Sequence, residues 1–435
     1  SRVVLESFVS SNKTDTYRIH SYENATTYST PFASMYSNGA KQGRNHLMAT
    51  ATQEGTIELL SMAPRGFCDP EPQRITIPAH NNAIFDLRWS TDDSQIVTSS
   101  GDHTSAIYDV ATQKRIGVLN AHTLTVKNTL WNPLNPSMST LVSLESECQA
   151  NSTHQDLLAS ASRDGDIHLW DLRQGPQCGL AYSPVYSIVQ AHGEAQTKAH
   201  RAKNTSLRSV TSLNYLPHDD NHIVSSGSSN GVLKTWDIRA ALPAIASPSL
   251  SRTGPLVPCT VSRDPTTIMM NAAGDHVLGA GRSRAIASVT LDQTGSVAWG
   301  LGRNGRATSP PMLAHTPNPL QSTSLRTDSF YPRLAISPSG AYLAAGSSTG
   351  RVLLWDVSTL LRIGADIKDR QPVVLGGHAA EVSSVDWGFD SLLTSGDDCS
   401  IRVWRKDPAQ ARECRNEEAR DGVQCGAWGY ALFQV

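Results

Sequence analysis

The chain has no apolar run long enough to cross a bilayer, no C-x-x-C pair among its cysteines and no surplus of either charge. Each absence removes a class of protein. A membrane-spanning helix needs roughly twenty apolar residues in a row, so none is expected. Basic and acidic side chains number 37 and 39, so no overall field draws the protein to nucleic acid or lipid, and only local patches remain open. The seven cysteines (Cys68, Cys148, Cys178, Cys259, Cys399, Cys414 and Cys425) are odd in number and lack zinc-ligand spacing. A reducing compartment is expected, with neither a disulfide framework nor a structural metal. No secretory signal opens the chain, which starts at Ser1 rather than Met and reads as processed or truncated. The sequons Asn24-Ala25-Thr26 and Asn151-Ser152-Thr153 then read as chance occurrences in polar loops of an intracellular protein.

Catalytic signatures are equally scarce. Gly300-Leu301-Gly302-Arg303-Asn304-Gly305 matches a dinucleotide fingerprint, but that motif needs a following helix to hold the pyrophosphate. Pro310 and Pro311 forbid it. No G-x-S-x-G elbow is present, and His20, His168, His218 and His276 show no metal-ligand spacing. An enzyme is not expected, and no cofactor is implied.

What the chain does have is a repeat. Short runs of alternating apolar residues, separated by Gly, Asp, Asn and Ser, recur along it in the all-β pattern. The first unit runs from Pro31 to Met62, the second from Ala79-His80 to Tyr108-Asp109, and the third from Ala121-His122 to Arg173. The fourth opens at Ala191-His192 and ends at Arg239. A degenerate fifth, around Thr267 to Thr290, has lost its Trp-Asp. The sixth runs from Ala314-His315 to Trp355-Asp356 and the seventh from Gly377-His378 to Trp404. Units of this form, opening on His and closing on a large aromatic after a tight turn, resemble the WD-repeat family, and seven of them fit a seven-bladed β-propeller. The resemblance implies a hydrogen-bonded tetrad in each blade, for which His80, His122, His378, Asp102, Asp164, Asp398, Trp170, Trp236, Trp355 and Trp404 are the candidates. All are structural: a buried indole, hydroxyl and carboxylate must find one another.

Units exceed the usual ~40–45 residues. The excess falls near 136–154, 174–208, 240–262 and 296–330, in Ser, Pro, Thr and Gly-rich stretches that read as surface loops, mobile in part. The expected organisation is an N-terminal arm at 1–30, the propeller at 31–405 and a C-terminal extension at 406–435. A ring of blades must avoid an open edge. Tyr17-Arg18-Ile19-His20 and Gly426 to Phe433 are the two candidates for the closing strand, the arm being alternatively an adaptor contact. Ala409 to Arg420 reads as a short mixed-charge helix or solvated link.

Two blades end in Trp-Asp-x-Arg: Trp170-Asp171-Leu172-Arg173 and Trp236-Asp237-Ile238-Arg239. This pair resembles the motif of the DCAF family, the WD-repeat receptors that dock on the damaged-DNA-binding adaptor of the cullin-four RING ubiquitin ligases. The resemblance implies adaptor contacts at Asp171, Arg173, Asp237 and Arg239, where a planar guanidinium can grip carboxylates or carbonyls. Over about residues 31–405 the chain is similar to the replication-coupled branch of that family, through Glu54-Gly55, Gly101-Asp102-His103-Thr104, Arg163-Asp164-Gly165, the run Gly231 to Arg239 and Asp397-Asp398. That similarity implies a nuclear receptor for proteins bound to the sliding clamp PCNA on DNA, carrying a basic degron. An acidic spot should then receive the degron, and Glu54 and Asp397 are nominated. The basic insertion Lys198, His200, Arg201, Lys203 and Arg208 is a candidate for DNA near the clamp, against the simpler reading of a solvated loop. The rival function is a WD scaffold of a chromatin or RNP complex without a ligase.

Overall fold

The computed structural model describes residues 2–132 (except 11, 12, 25 and 67), 157–192, 209–238 (except 217, 218 and 228–232), 288–291, 296–299, 324, 333–356 (except 340) and 371–421. The described strands fall into seven sheets. Their order in the chain is the order of the repeats, and the architecture is an all-β WD propeller.

The first sheet shows the plan. Its strands Pro31–Tyr36, Leu47–Thr52, Thr56–Ser61 and Ile75–Pro78 pair antiparallel in chain order, from the innermost outward. Thr52 and Thr56 flank a turn in which Gly55 adopts φ +84, a conformation that favours glycine. The turn packs under the next repeat: the backbone N–H groups of Ala79 and His80 both donate to the Gly55 carbonyl at 2.9 Å. Small residues let this happen. Ala33, Ala49 and Ala51 are buried in one cluster with Ile57, Leu59, Ile84 and Leu87, which joins the first sheet to the second. Burying such apolar surface is the main stabilising term between blades.

Each later sheet repeats this with variations. The second comprises Ile84–Trp89, Gln95–Ser100, Ser105–Asp109 and Arg115–Leu119, and the third Val126–Trp131, Leu157–Ser162, Ile167–Asp171 and Tyr186–Ile188. The stretch after Arg173, expected to be loop, instead supplies two strands. Tyr186–Ile188 completes the third sheet, and Ala181–Tyr182 adds to the edge of the second in parallel register, Val118 opposite Ala181. The fourth sheet is Val210–Leu216, Asp219–Gly227 and Leu233–Asp237, and the sixth is Leu334–Ile336, Tyr342–Gly346, Arg351–Asp356 and Val373–Gly376. The fifth is the pair Ser288–Leu291 and Ser296–Trp299, so the loop expected from 296 onward begins as a strand. Ala314, His315 and the insertions near 136–154, 193–208 and 240–262 lie outside the described residues.

The seventh sheet joins the two ends of the described chain. Val382–Trp387, Ser391–Gly396 and Ser400–Lys406 come from the C-terminal side; Thr16–Arg18 and Phe8–Val9 pair with the outer edge of Ser400–Lys406. Tyr17 stands opposite Ile401 and Phe8 opposite Lys406. The N-terminal candidate for the closing strand therefore occupies that edge, while the C-terminal one, Gly426 to Phe433, lies outside the described residues. The helix Pro408–Asp421 follows, its first turn capped by Asp407, whose carboxylate accepts from the Ala409 and Gln410 N–H groups. Ala411 and Cys414 pack on Val9. The innermost strands of the seventh and first sheets also meet directly: the Ser34 N–H donates to Ser384 Oγ at 3.1 Å and the Tyr36 N–H to Asp386 Oδ2 at 2.8 Å.

A second set of tryptophans, unassigned from the sequence, ties neighbouring blades. Trp89, Trp131 and Trp387 end three innermost strands, and their indoles donate to the carbonyls of Met35, Arg88 and Ala335 on the preceding blade. The signal was present: each sits at the last position of the first strand, where a large aromatic recurs.

Candidate functional site

Two ends of each sheet can be distinguished. At one lie the turns between second and third strands; this is the turn face. The third strands finish at the other.

The turn face is held by the tetrads. In the third sheet His122 Nδ1 lies 3.0 Å from Asp164 Oδ2 and its Nε2 2.8 Å from Ser160 Oγ, and the Trp170 indole donates to that hydroxyl at 2.8 Å. The seventh repeats it with His378, Asp398, Thr394 and Trp404, the last donating at 2.9 Å. In the second, His80 joins Asp102 (2.7 Å) and Thr98 (2.8 Å), but Tyr108 stands where the Trp would be and donates to the Ala79 carbonyl. In the fourth, Trp236 donates to Ser225 Oγ and His192 Nε2 lies 2.8 Å from it. His192 thus belongs to the tetrads although it is not among the candidates read from the sequence; its position, opening a repeat after Ala191, matches His122.

Trp355 differs from the expectation. Its side chain is buried, yet its indole N–H has no hydrogen-bond partner among the described residues. The reason lies one strand in: Ala345 stands where Ser160 and Thr394 supply the hydroxyl, and Thr349 stands where the other turns place Asp164 and Asp398. Trp355 fills the sixth blade without a tetrad.

The tetrad carboxylates are fixed as anions. Burial, the largest single influence, raises Asp102 and Asp164, but the hydrogen bonds and charge of their histidines together with hydrogen bonds from the turn outweigh it and bring both down to about 2. Asp398 moves in the same direction for the same reasons. His168, tilted against the His122 ring at 4.3 Å, is pulled down to about 4 by burial and then by its neighbour, so it stays neutral.

Glu54 and Asp397 sit on this face, in the corresponding turns of the first and seventh sheets. Glu54 takes the register of the tetrad carboxylate, with Gly55 (φ +84) matching Gly165 (φ +95). Thr27 stands four residues before the first strand, where the tetrads have His. The Glu54 side chain is therefore not used in a tetrad; it is exposed and accepts the Tyr22 N–H at 2.8 Å. Asp397 is exposed too, its carboxyl raised by partial burial and by Asp398 beside it. The segment before the first strand adds exposed Tyr22, whose N–H is the one Glu54 accepts, and exposed Tyr28, which packs on His20. Lys198, His200, Arg201, Lys203 and Arg208 lie outside the described residues.

At the opposite face, Asp171 ends the third strand of its sheet and the 3₁₀ turn Leu172–Gln174 carries Arg173. The two form a closed fork. Arg173 Nε donates to Asp171 Oδ1 at 2.8 Å and Nη2 to Oδ2 at 2.7 Å, and the Arg173 N–H caps Oδ1 at 3.0 Å. Burial raises the Asp171 carboxyl, but these bonds outweigh it and lower it. The Asp171 side chain is 9% exposed and Arg173 38%, so the acid anchors and the guanidinium reaches outward. Asp237 closes the matching strand of the fourth sheet, opposite His222; its side chain and Arg239 lie outside the described residues.

Among the described residues no three His, Cys, Asp or Glu side chains gather as a metal site, and no helix is long and apolar enough to cross a membrane.

The fold and the tetrads define the class: this is a WD-repeat protein. The family described as WD domain, G-beta repeat matches residues 71–109, 145–171, 196–237, 332–356 and 370–405. Within that class the chain is a denticleless/Cdt2-like protein. It is 30% identical over 387 residues to cell division cycle protein cdt2 of Schizosaccharomyces pombe, covering 82% of this chain and 66% of that one. To protein lethal(2)denticleless of Drosophila melanogaster it is 26% identical over 385 residues, 84% of this chain and 43% of the relative. The human denticleless protein homolog is 26% identical over 402 residues, 86% and 46%. The chain thus spans about two thirds of the yeast relative and under half of the other two.

Proposed function

We propose that this chain is the substrate-recognition subunit of a cullin-RING ubiquitin ligase, not itself catalytic. It docks on the damaged-DNA-binding adaptor, and through it the cullin, by the face that carries Asp171, Arg173, Asp237 and Arg239. It presents the turn face to nuclear replication-licensing and cell-cycle proteins held on PCNA. The observation that carries this reading is the Asp171–Arg173 fork. An anchored carboxylate holds a planar, outward-reaching guanidinium just past the strand end, in a geometry suited to a partner's carboxylates or carbonyls. Likeness to denticleless and Cdt2 proteins supports the same assignment. On the turn face, exposed Glu54 and Asp397 on adjacent sheets offer a basic degron residue complementary charge.

Co-elution of the purified chain with the adaptor tests the docking half. Wild type should form a stable complex that the Arg173→Ala/Arg239→Ala double variant, still folded, loses. A double variant that still co-elutes, or a wild type that never does, would return the chain to the WD scaffolds of chromatin or RNP complexes. For the substrate half, Glu54→Lys with Asp397→Lys should weaken binding of a basic degron peptide on clamp-loaded DNA and leave adaptor binding unchanged. Equal degron affinity would remove those two residues from the site.

A further inference from the structure

The innermost strands carry a rung of residues at one level around the central channel. Asp86 stands opposite Ser99, Asn128 opposite Ala161, Ser384 opposite Ser395 and Ala33 opposite Ala51. Each partner directly follows the second-strand residue that holds the tetrad register, such as Thr98, Ser160 or Thr394. In the sixth sheet that place, after Ala345, belongs to Gly346, whose N–H donates to the Arg333 carbonyl at 3.2 Å. Arg333, immediately before the strand Leu334–Ile336, is therefore on the same rung.

The rung's other polar members bond to the next blade. Asn128 Nδ2 donates to Asp86 Oδ2 at 2.9 Å, and Ser384 Oγ accepts the Ser34 N–H at 3.1 Å. Arg333 reaches further. Its guanidinium donates to the Asp86 carboxylate and to the Phe85 carbonyl on the second sheet, passing over the seventh and the first. In a ring of seven sheets the sixth and second stand nearly opposite, so this bond crosses the channel. Side-chain size permits it. The rung's members on the two sheets passed over, Ser384 and Ala33, are small, and Arg333 is long.

The acceptor is suited to a permanent cation. The Asp86 side chain is fully buried and also accepts Arg88 Nε at 3.2 Å. Burial raises its carboxyl, but Arg333, then Arg88 and the Asn128 amide, outweigh that and hold it below the ordinary carboxylate range. A buried anion that loses a partner is strongly destabilised, unlike one of an exposed pair. The Phe85 carbonyl adds a second anchor, since the channel edge of an innermost strand has no partner strand to satisfy it.

The sixth sheet is where such a hold matters. Trp355 lacks its tetrad, and the fifth repeat before it has lost its Trp-Asp. On the other flank the sixth is joined to the seventh: the Trp387 indole donates to the Ala335 carbonyl at 3.1 Å, and Val352 and Leu354 share a core with Val382 and Val385. The seventh meets the first through Ser384 and Asp386, and the first meets the second through the cluster around Ala49 and Ile84. With Arg333 the path from sixth to seventh, first and second returns on itself.

We propose that Arg333 and Asp86 form a clasp across the central channel. It closes the sixth, seventh, first and second blades into one circuit and fixes the sixth, which has no tetrad, from its inner edge. The circuit is completed without the degenerate fifth blade.

Hydrogen exchange of the whole purified chain, read strand by strand, tests this. Arg333→Met removes the guanidinium and keeps an unbranched chain. Amides of Tyr342–Gly346 and Arg351–Asp356 should then exchange at least about tenfold faster. Those of Leu157–Ser162 and Ile167–Asp171, in the third sheet and outside the circuit, should keep wild-type rates. Asp86→Asn and the pair Arg333→Met/Asp86→Asn complete a cycle. Once Asp86 is neutral, losing Arg333 should speed the sixth sheet by less than about threefold. Unchanged exchange in the sixth sheet of Arg333→Met overturns the clasp, and so does a loss spread equally over all sheets. A full tenfold effect of Arg333→Met added to Asp86→Asn overturns it too. Arg333→Met leaves Asp86 paired with Arg88 and Asn128, so it decides the matter alone if Asp86→Asn does not fold.

Discussion

Thr394 offers the sharpest test of what holds a blade together. Its side chain is fully buried in the second strand of the seventh sheet. Oγ1 accepts the Trp404 indole N–H at 2.9 Å and lies 2.8 Å from His378 Nε2. Thr394→Val keeps the shape and deletes the hydroxyl. It strands two buried polar groups, the indole N–H without an acceptor and the imidazole nitrogen without a donor. Each orphan costs about 1–3 kcal/mol, so the variant should lose about 2–6 kcal/mol. Thr394→Ser is the control: it keeps the hydroxyl and loses one methyl, worth roughly 1 kcal/mol. The order of the two variants decides the question. If the tetrad stabilises through its hydrogen bonds, Val is worse than Ser; if the site matters only as packed volume, Ser is worse than Val. Urea unfolding followed by tryptophan fluorescence reads the midpoints. Hydrogen exchange of the Ser400–Lys406 amides reports whether the loss is local to the seventh sheet. A Val variant within about 0.5 kcal/mol of wild type, the scatter of surface substitutions, would refute the argument.

Ala345→Ser makes the converse change in the sixth sheet, giving the buried Trp355 indole the acceptor it lacks; the thermal midpoint should rise with a gain of about 1 kcal/mol, and a fall would mean the hydroxyl finds no room. Acid should destabilise the protein in two stages. His168, depressed to about 4, favours its neutral form when folded, so stability is complete above the ordinary histidine value near 6.5 and declines as pH falls toward 4. The Asp102 and Asp164 carboxylates, depressed to about 2, hold their share above roughly pH 4 and surrender it between there and 2. Urea midpoints across pH 8 to 2 should show both stages, and His168→Gln should erase the upper one while leaving the lower.

Much of this was legible in the chain before any coordinates. Alternation of period two and recurrent Trp-Asp gave the all-β class, because a strand with one face against each neighbouring blade must alternate or run wholly apolar. His80, His122 and His378 were readable as partners of Asp102, Asp164 and Asp398 because such polar groups cannot be buried singly. The strands after Arg173 were not readable: Tyr186–Ile188 and Ala181–Tyr182 are two or three residues long and lie among Gly, Pro and Ser, so no periodicity builds up. Trp355 misled because its Trp-Asp ending looks like the others, while the cause of its isolation, Ala345, lies in another strand. The clasp could not be found either, because a bond across the channel joins residues far apart in the chain and leaves no mark in one sequence. Glu54 was found for its charge, but its exposure follows from Thr27 at a position where other blades have His.

The pairing of Phe8 with Lys406 and Tyr17 with Ile401 has a consequence for how the protein is made. The segment that finishes the last sheet is synthesised before every sheet of the propeller, and its partner emerges roughly 400 residues later. At about 5–20 residues per second this is an interval of roughly 20 to 80 seconds. Throughout it the nascent chain trails an apolar, unpaired β-segment, bearing Phe8, Val9 and Tyr17, that any other exposed strand edge could capture. The residue separation that completes this sheet thus leaves its early strand adhesive while the rest is made, and that segment calls for shelter until its partner arrives.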